Sequence, residues 1–500
     1  MTFPIKLGTP SKARRSLVPF RFRPIGEQVL LTSHFGDWMF VSPQELERLQ
    51  QGGLEPNSAL ERRLADANFL PEGLNLDAIT ERIRTKKRFL NYGPNLHVVV
   101  VTLRCNATCV YCHASRATMD RVETDMTPEI AERTVDLILQ STSPRVTIEF
   151  QGGEPLANFP IIQHIIEYAT EKNRAYGKAL EFTLVSNLSL MTDEKLDYLA
   201  ARRVQICTSV DGPEKLHNKQ RVLPSGNAYE QAATWIRRIN ERYVAAGLDP
   251  VLYHVEALLT TTRAALDVPR EIVDTYVGLG CRALFLRPVD PFGFASATAK
   301  TVEYERHRYL DFYRAAVDYI LELEKQGVQV LERFASIFLT KILTGDDPNF
   351  LDIRSPCGAG IGQVAYNYDG KIFTCDEGRM VHEMGDSAFM IGEVKTSSYR
   401  DLMTHETVRS LLVASNLDAQ PDCVNCVYNP YCGVCPVHNY ASQGSIHGRM
   451  RESHLCAVHK GIQDYLFEKL QSGDEHVLAT FRRWTTVRER SHFVHESTAN

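Results

Sequence analysis

No apolar run in this sequence approaches the roughly 20 residues needed to cross a bilayer. The longest, residues 97–103 and 252–259, stop well short. The opening stretch MTFPIKLGTPSKARRSLVPF has scattered basic side chains but lacks the apolar centre of a secretory signal. Outside it there is no block of Lys and Arg, and 56 basic against 61 acidic side chains leave a formal charge of -5, which argues against a polyanionic partner. Internal repeats and low-complexity tracts are missing as well. The expectation is a cytoplasmic globular protein with neither a membrane nor a nucleic-acid partner.

What remains is a chain of 500 residues, 44% apolar and 23% charged, with room for about three domains. Its twelve cysteines stand out, because in a reducing cytoplasm they are poor disulfide partners and good metal ligands. Cys105, Cys109 and Cys112 form one group; Cys357, Cys375, Cys423, Cys426, Cys432, Cys435 and Cys456 form another. Only Cys207 and Cys281 stand alone, reading as small buried hydrophobes in or beside strands.

Residues 1–17 read as a flexible tail, as does the polar end beyond residue 472. Residues 18–92 open with β-rich runs (28–32 and 38–41) and continue with helical patterns at 43–51 and 57–68, a small N-terminal α+β domain. Residues 93–300 alternate strand-like runs (97–104, 146–150, 180–186, 204–210, 252–260, 282–288) with helical ones (127–140, 158–174, 193–201, 228–246, 269–279). Such alternation predicts an α/β fold, a partial (β/α)6 TIM-like barrel with its chemistry at the C-terminal strand ends. Residues 301–346, with helical patterns at 302–326 and 331–343, read as a helical linker. From 347 to 460 the chain is turn-rich and cysteine-dense, with so little apolar core that metal has to hold it, and 461–500 is a C-terminal helix and tail.

The loop after the first barrel strand reads Cys105-Asn-Ala-Thr-Cys109-Val-Tyr-Cys112. Three thiolates so close together can hold three irons of a [4Fe-4S] cluster and leave the fourth open, whereas structural zinc takes four closed ligands. The second strand ends Gln151-Gly152-Gly153-Glu154-Pro155; two glycines let backbone approach a ligand, and the carboxylate suits an ammonium group. The third ends Ser186-Asn187 and the fourth Ser209-Val-Asp211-Gly-Pro, with Arg221 downstream. Hydroxyl, amide and carboxylate groups suit ribose and a guanidinium suits a carboxylate, although such residues also cap helices and make turns. Arg287 and Asp290 close the sixth strand, to orient substrate, to move a proton or simply to end the strand. His113 reads as a packed loop histidine. The seven later cysteines can fill one four-ligand site and leave three ligands for another, while their CxxC pairs alone also allow a zinc ribbon.

The CxxxCxxC spacing with Tyr111 before its last cysteine resembles the radical S-adenosylmethionine (SAM) superfamily, and the Gly152–Pro155 and Ser209–Arg221 stretches resemble its companion motifs. The resemblance implies that Cys105, Cys109 and Cys112 hold a SAM-binding [4Fe-4S] cluster. It places Tyr111 near the adenine, Glu154 on the SAM amino group beside Gly152 and Gly153, and Ser186, Asn187, Ser209, Asp211 and Arg221 among the further SAM contacts. The later cysteines are similar in order to the SPASM domain of radical SAM peptide maturases. That similarity implies Cys357, Cys375 and Cys435 at one auxiliary [4Fe-4S] cluster and Cys423, Cys426, Cys432 and Cys456 at another, three clusters in all. Two departures stand out: a two-residue spacer between Cys432 and Cys435 where three is usual, and no cysteine between Cys281 and Cys357 of the kind that completes the first auxiliary cluster in the sulfatase-maturing branch. Residues 18–32 and 285–295 resemble maturases of the His-Xaa-Ser systems, which are associated with a second radical SAM protein.

By this resemblance the chain is an enzyme that cleaves SAM to a 5′-deoxyadenosyl radical and oxidatively modifies, by crosslinking, a ribosomally made peptide or small protein. A reductant such as flavodoxin or ferredoxin would supply electrons. Residues 18–92 would dock a leader peptide by strand addition, independently enough that deleting residues 1–92 abolishes peptide binding and leaves cluster assembly intact. The alternatives are formylglycine formation of the sulfatase-maturase kind, radical chemistry on a small metabolite, and non-catalytic electron transfer.

Overall fold

The computed structural model describes residues 16–348 and 351–496, so most of the expected 1–17 tail lies outside the described residues. Strands β1 (Phe20–Ile25), β2 (Gln28–Ser33) and β3 (Trp38–Val41) form an antiparallel meander, followed by helices α1 (Pro43–Gln50), α2 (Ala59–Asp66) and α3 (Leu76–Lys87). Ser42 and Glu45 close a capping box on α1. The sequence pattern showed β2, β3, α1 and α2 but not β1 or α3. β1 exposes Phe22, Arg23 and Pro24, and α3 buries only Ile79, so neither carries an apolar period. Alternate residues of β2 enter different cores: Val29 and Leu31 pack on Leu46, Leu60 and Phe69, while Leu30 joins the main core. Both faces of the meander are therefore covered.

Six parallel strands follow: β4 (Leu96–Thr102), β5 (Arg145–Gly152), β6 (Ala179–Val185), β7 (Gln205–Ser209), β8 (Glu256–Thr261) and β9 (Leu286–Pro288). Between them run α4 (Pro128–Ile138), α5 (Phe159–Tyr176), α6 (Asp193–Ala201), α7 (Ala228–Ala245) and α8 (Pro269–Gly278). Val98 to Val101 are all buried, the continuous apolar run of a strand covered on both faces. The sheet does not stop at β4. Strands β10 (Gln363–Tyr366), β11 (Lys371–Phe373) and β12 (Met390–Glu393), from the cysteine-rich region expected to stand apart, extend it to a mixed nine-stranded sheet in the order β9-β8-β7-β6-β5-β4-β10-β11-β12.

Other boundaries moved for local reasons. β8 starts at Glu256 rather than at 252 because Asp249 makes a turn, accepting from Val251 N (2.9 Å) on its carboxylate and from Tyr253 N (2.8 Å) on its carbonyl. The expected strand 282–288 is split: Ala283–Leu284 pairs with Leu331–Glu332, and only β9 pairs with β8. The expected linker is a packed layer instead. Helices α9 (Arg306–Lys325) and α10 (Arg333–Leu343) bury Tyr309, Phe312, Tyr313, Phe334 and Phe338 in the main core.

The chain end departs most from expectation. The cysteine-rich region itself holds α11 (Asp376–Glu383), which precedes β12, and α12 (Pro436–Gln443), and α13 (His454–Gln471) and α14 (Glu475–Trp484) end the chain. Beyond residue 472 there is no free tail among the described residues: Phe481, Trp484 and Phe493 are buried, and Leu180 and His495 exchange backbone hydrogen bonds (3.0 and 2.8 Å). Its helix α14 does carry an apolar period, Val477, Phe481 and Trp484, within a polar stretch, and Arg490 turns inward to pair with Glu256, as does Arg333 of α10. Burial pushes the Glu256 carboxyl up, but the two guanidinium groups outweigh it and hold it at about 2. A depressed carboxylate contributes stability that is present above its ordinary value of 4.5 and lost as pH falls toward 2. Amides of residues 485–496 should therefore lose hydrogen-exchange protection below about pH 4, and Glu256→Gln, at a cost of roughly 3 kcal/mol, should show that loss already at pH 7. Unchanged exchange in the variant would reject the latch.

Among the described residues no helix is long and apolar enough to cross a membrane.

Candidate active site

The C-terminal ends of β5 to β9 and the loop after β4 open on one cavity of about 1050 Å³. That loop is fixed first. Thr102 Oγ1 donates to Asp125 (2.6 Å), and Arg104 grips both Asp125 oxygens (2.8 and 2.6 Å) and donates to Ala157 O (2.9 Å). Cys105 N donates to Ala117 O (3.0 Å), and a short ladder of Thr108–Cys109 with Arg221–Val222 sets Arg221 opposite Cys109. Cys112 N closes a turn onto Cys109 O (3.2 Å), and the three thiols share the cavity wall. The segment after β9 covers the loop: Phe294 N donates to Cys112 O (2.7 Å), and a Cβ on Gly293 would fall 2.5 Å from that oxygen. Burial pushes the Cys105 thiol up to about 12 and Cys109 up to about 11. Thiolates form here only against a cation.

Gly152 and Gly153 line the cavity and also admit a close approach of backbone. A Cβ on Gly152, at φ +150, would lie 2.0 Å from Thr102 O, and one on Gly153 would lie 2.3 Å from Leu103 O. The end of β5 runs against the end of β4, held by Gly153 N to Thr102 O (2.9 Å) and Glu154 N to Arg104 O (2.7 Å). The glycines fit backbone to backbone and so place the cysteine loop.

Glu154 is fully buried at the end of β5, accepting from Ser186 Oγ (2.7 Å), Asn187 N (2.8 Å) and Leu156 N (3.1 Å). Those three bonds hold the end of β6 to the end of β5 and leave one acceptor position of the carboxylate. Ser186 and Asn187 do reach the cavity, and Asn187 Nδ2 lies 3.9 Å from the Cys105 sulfur.

Asp211 is fully buried, behind the residues that line the cavity. Tyr111 Oη lies 2.6 Å from each of its oxygens and donates to it, as does Arg221 Nε (3.1 Å). Arg221 in turn stacks over the Tyr111 ring at 5.2 Å and points Nη1 at Cys109 Sγ (3.8 Å). Tyr111, Ser209 and Arg221 line the cavity as expected.

Sequence reasoning left several wall residues unassigned. Gln151 and Thr260 sit at strand ends and could have been found by the rule that picked Ser186; Met380, from α11, gives no such signal. Arg287 and Asp290 both line the wall, 3.6 Å apart. His113 lines it too, with Nε2 buried and lacking any hydrogen-bond partner in the protein. An orphaned imidazole nitrogen in a polar cavity calls for a bound molecule.

The later cysteines sort into three and four. Cys357, Cys375 and Cys435 pack together with Phe292, Phe389 and Leu411. Cys423, Cys432 and Cys456 pack with Leu417, Val434 and Met450, and Cys426 lines the same hollow. Cys435 borders that hollow as well, but Cys357 and Cys375 are the thiols that act on it most strongly, while Cys432 feels Cys456, Cys426 and Cys423. Gly433 absorbs the short spacer: its Cβ would lie 2.3 Å from Arg354 N, so the chain passes tightly there and sends Cys432 and Cys435 to different groups. Cys375 and Cys435 cap the N-termini of α11 and α12, accepting from Gly378 N (3.4 Å) and His438 N (3.3 Å), a position that favours thiolate. Burial nevertheless pushes Cys357 and Cys423 up to about 12. Among the described residues no three His, Cys, Asp or Glu side chains are grouped as ligands of a single metal ion. Cys281 is buried in the main core, and Cys207 is half-buried on β7.

Residues 99–255 match the Radical SAM superfamily model, so the chain carries a radical SAM domain. An uncharacterized protein of Methanocaldococcus jannaschii is 28% identical over 118 residues, 23% of this chain and 38% of that one. The radical SAM cyclopropyl synthase TigE of Paramaledivibacter caminithermalis is 27% identical over 132 residues, 24% of this chain and 27% of that one. The chain thus spans well under half the length of these two relatives. The serine-type anaerobic sulfatase-maturating enzyme of Bacteroides thetaiotaomicron is 20% identical over 402 residues, 75% of this chain and 89% of that enzyme. In fold, the chain is similar to native anSMEcpe with bound AdoMet and Cp18Cys peptide (TM-score 0.62, 17% identity, 78% and 100% of the two chains). It is also similar to Streptococcus suis SuiB bound to precursor peptide SuiA (TM-score 0.51, 14% identity, 86% and 97%).

Proposed function

We propose that this chain is a cytoplasmic radical SAM/SPASM enzyme that matures a ribosomally made peptide or small protein, in the His-Xaa-Ser branch typified by HxsB. The observation that carries the reading is the convergence of Cys105, Cys109, Cys112, Tyr111 and Arg221 on one cavity at the strand ends of the radical SAM domain. Residues 93–300 form its partial barrel, and residues 347–460 its SPASM domain. Cys105, Cys109 and Cys112 would hold the SAM-binding [4Fe-4S] cluster, Cys357, Cys375 and Cys435 one auxiliary cluster, and Cys423, Cys426, Cys432 and Cys456 the other. Reduced cluster and SAM together supply a 5′-deoxyadenosyl radical that takes a hydrogen atom from an unreactive C–H bond.

The protein's own contribution is placement. Arg221, tied by Asp211, offers its guanidinium to a carboxylate, Ser186, Asn187 and Ser209 offer hydrogen bonds to ribose, and Tyr111 presents a ring edge to adenine. Leu258 and Leu259 of β8 give the opposite wall an apolar surface that keeps water from the reacting carbon. Arg287 and Asp290, farther up the wall, orient the substrate. An edge of the β1–β3 meander suits strand addition by a leader peptide, and the fold likenesses to SuiB bound to SuiA and to peptide-bound anSMEcpe support a peptide substrate. A flavodoxin or ferredoxin and a second radical SAM protein complete the proposed partners.

Reconstituted anaerobically and reduced with dithionite, the full chain should release 5′-deoxyadenosine from SAM, and the Cys105/Cys109/Cys112 triple alanine variant should release none. Iron-replete protein that releases none, with or without candidate peptides, would reject the reading. The likeness to sulfatase maturases along three quarters of the chain favours formylglycine formation as a second reading, distinguished by an aldehyde-reactive probe on the product.

A further inference from the structure

The cysteine loop that carries Cys423, Cys426 and Cys432 is held from outside by the N-terminal domain. Arg21 Nε of β1 donates to Val424 O (2.7 Å), between Cys423 and Cys426. Thr32 Oγ1 of β2, fully buried, donates to Val427 O (2.8 Å). Tyr431 Oη donates to Gly36 O (3.0 Å), and Lys86 of α3 donates to Pro430 O. The loop also leans on the main core through Val427, Tyr428 and Tyr431, but on the cysteine side its apolar cluster is small, Leu417, Val434 and Met450 with the cysteines, and its backbone carbonyls are held by the N-terminal domain.

The same contact is electrostatic. Four thiolates around a [4Fe-4S] core carry net negative charge, and reduction adds more, so nearby cations favour the reduced state. Arg21 interacts electrostatically with Asp418 and next with Cys426, and Arg23 with Asp464 first and with Cys426 only weakly. Arg23 is bidentate to Asp464 (2.7 and 2.9 Å), which neutralises it locally, whereas Arg21 is directed at the ligand loop itself. On the opposite side Lys460 lines the hollow.

We infer that the N-terminal domain completes the second four-cysteine site, with Arg21 as the residue that positions its ligand loop and sets its reduction potential. The inference rests on the reading above that these four cysteines hold an iron-sulfur cluster. It predicts, against the expectation that residues 1–92 can be removed without touching the clusters, that their removal weakens this site, because it strips the Arg21, Thr32, Gly36 and Lys86 contacts from the loop. The domain that docks peptide and the site that relays electrons share one boundary.

The test uses the full chain, reconstituted anaerobically, with EPR-monitored redox titration and the rate of iron release to a chelator as readouts. In Arg21→Met the midpoint of the second auxiliary signal should move negative and chelation of its iron should accelerate several-fold, with the SAM-cluster signal unmoved. Arg21→Lys, which keeps the charge, should recover the midpoint; Arg21→Gln, which keeps a donor, should recover the resistance to chelation. Arg23→Met should move the midpoint less than Arg21→Met. A midpoint and chelation rate in Arg21→Met equal to wild type would overturn the inference. If alanine at Cys423, Cys426, Cys432 and Cys456 leaves the iron content of the chain unchanged, the cluster reading beneath it fails instead.

Discussion

Asp211→Ala is expected to release no measurable 5′-deoxyadenosine although its cysteine sites still fill with iron. The carboxylate lies behind the cavity wall and touches nothing that binds there, yet two wall residues depend on it: Tyr111 donates to it (2.6 Å) and Arg221 Nε donates to it (3.1 Å). Removing it strands a guanidinium that is mostly buried, a loss on the order of 3–5 kcal/mol, and leaves a buried phenol unpaired, roughly another 1–3 kcal/mol. The strain is relieved by moving Arg221 and the Tyr111 ring stacked on it, which are the groups proposed to meet the SAM carboxylate and adenine. Affinity for SAM should fall on the order of 100-fold by equilibrium binding. Asp211→Asn, which keeps an acceptor for Tyr111 but no charge for Arg221, should lie between. Release from the alanine variant within a few-fold of wild type would mean that Arg221 and Tyr111 hold their places without it.

Gly153→Ala separates two explanations of the glycine pair. If Gly153 served a ligand, alanine would weaken SAM binding and leave the fold alone. The structure puts Leu103 O and Arg104 O 2.3 and 2.5 Å from the new Cβ, and neither can retreat, because they belong to the strand end that carries the cysteine loop. Overpacking of this kind costs about 1–3 kcal/mol. In Gly152→Ala, with Thr102 O at 2.0 Å and φ at +150, backbone strain adds a similar amount, on the order of 1–3 kcal/mol. Both variants should melt at lower temperature, Gly152→Ala lower still, and both should lose iron from the Cys105 site in proportion. A Gly153→Ala protein with wild-type melting and wild-type iron would restore the ligand explanation.

The six parallel strands were legible because a strand covered on both faces writes itself as an unbroken apolar run, as Val98 to Val101 do, and because short helices between such runs leave few topologies. The grouping of Cys105, Cys109 and Cys112 on one wall was legible for a related reason: they are neighbours in sequence, within one loop. β1, α3 and the end of the chain were not. β1 turns Phe22, Arg23 and Pro24 outward and α3 buries a single aliphatic residue, so neither leaves a period to read. Residues 475–484 do carry one, Val477, Phe481 and Trp484, but it is one short helix in a polar stretch, and what holds the rest of the end in place is the pairing of Arg490 with Glu256. For Glu154 and Asp211 the sequence marked the position but not the partners, Ser186 and Asn187 for one and Tyr111 and Arg221 for the other, since a carboxylate at a strand end looks the same in sequence whatever it faces.

The sequence by itself determined which groups could do chemistry, where along the chain they fall, and the alternation that makes a parallel sheet, because these depend on residue identity and on spacings of a few residues. The tertiary structure decided which of those groups face the cavity and which stand behind it. It also decided that β10 to β12 extend the same sheet, that Cys435 sorts with Cys357 and Cys375, and that β1 braces the loop of Cys423 and Cys426. Each of those outcomes rests on contacts between residues far apart in the chain, Tyr111 with Asp211 or Arg21 with Val424. A hydrogen bond across such a separation forms only after the packing of the whole chain has brought its two ends together, and no local pattern records it.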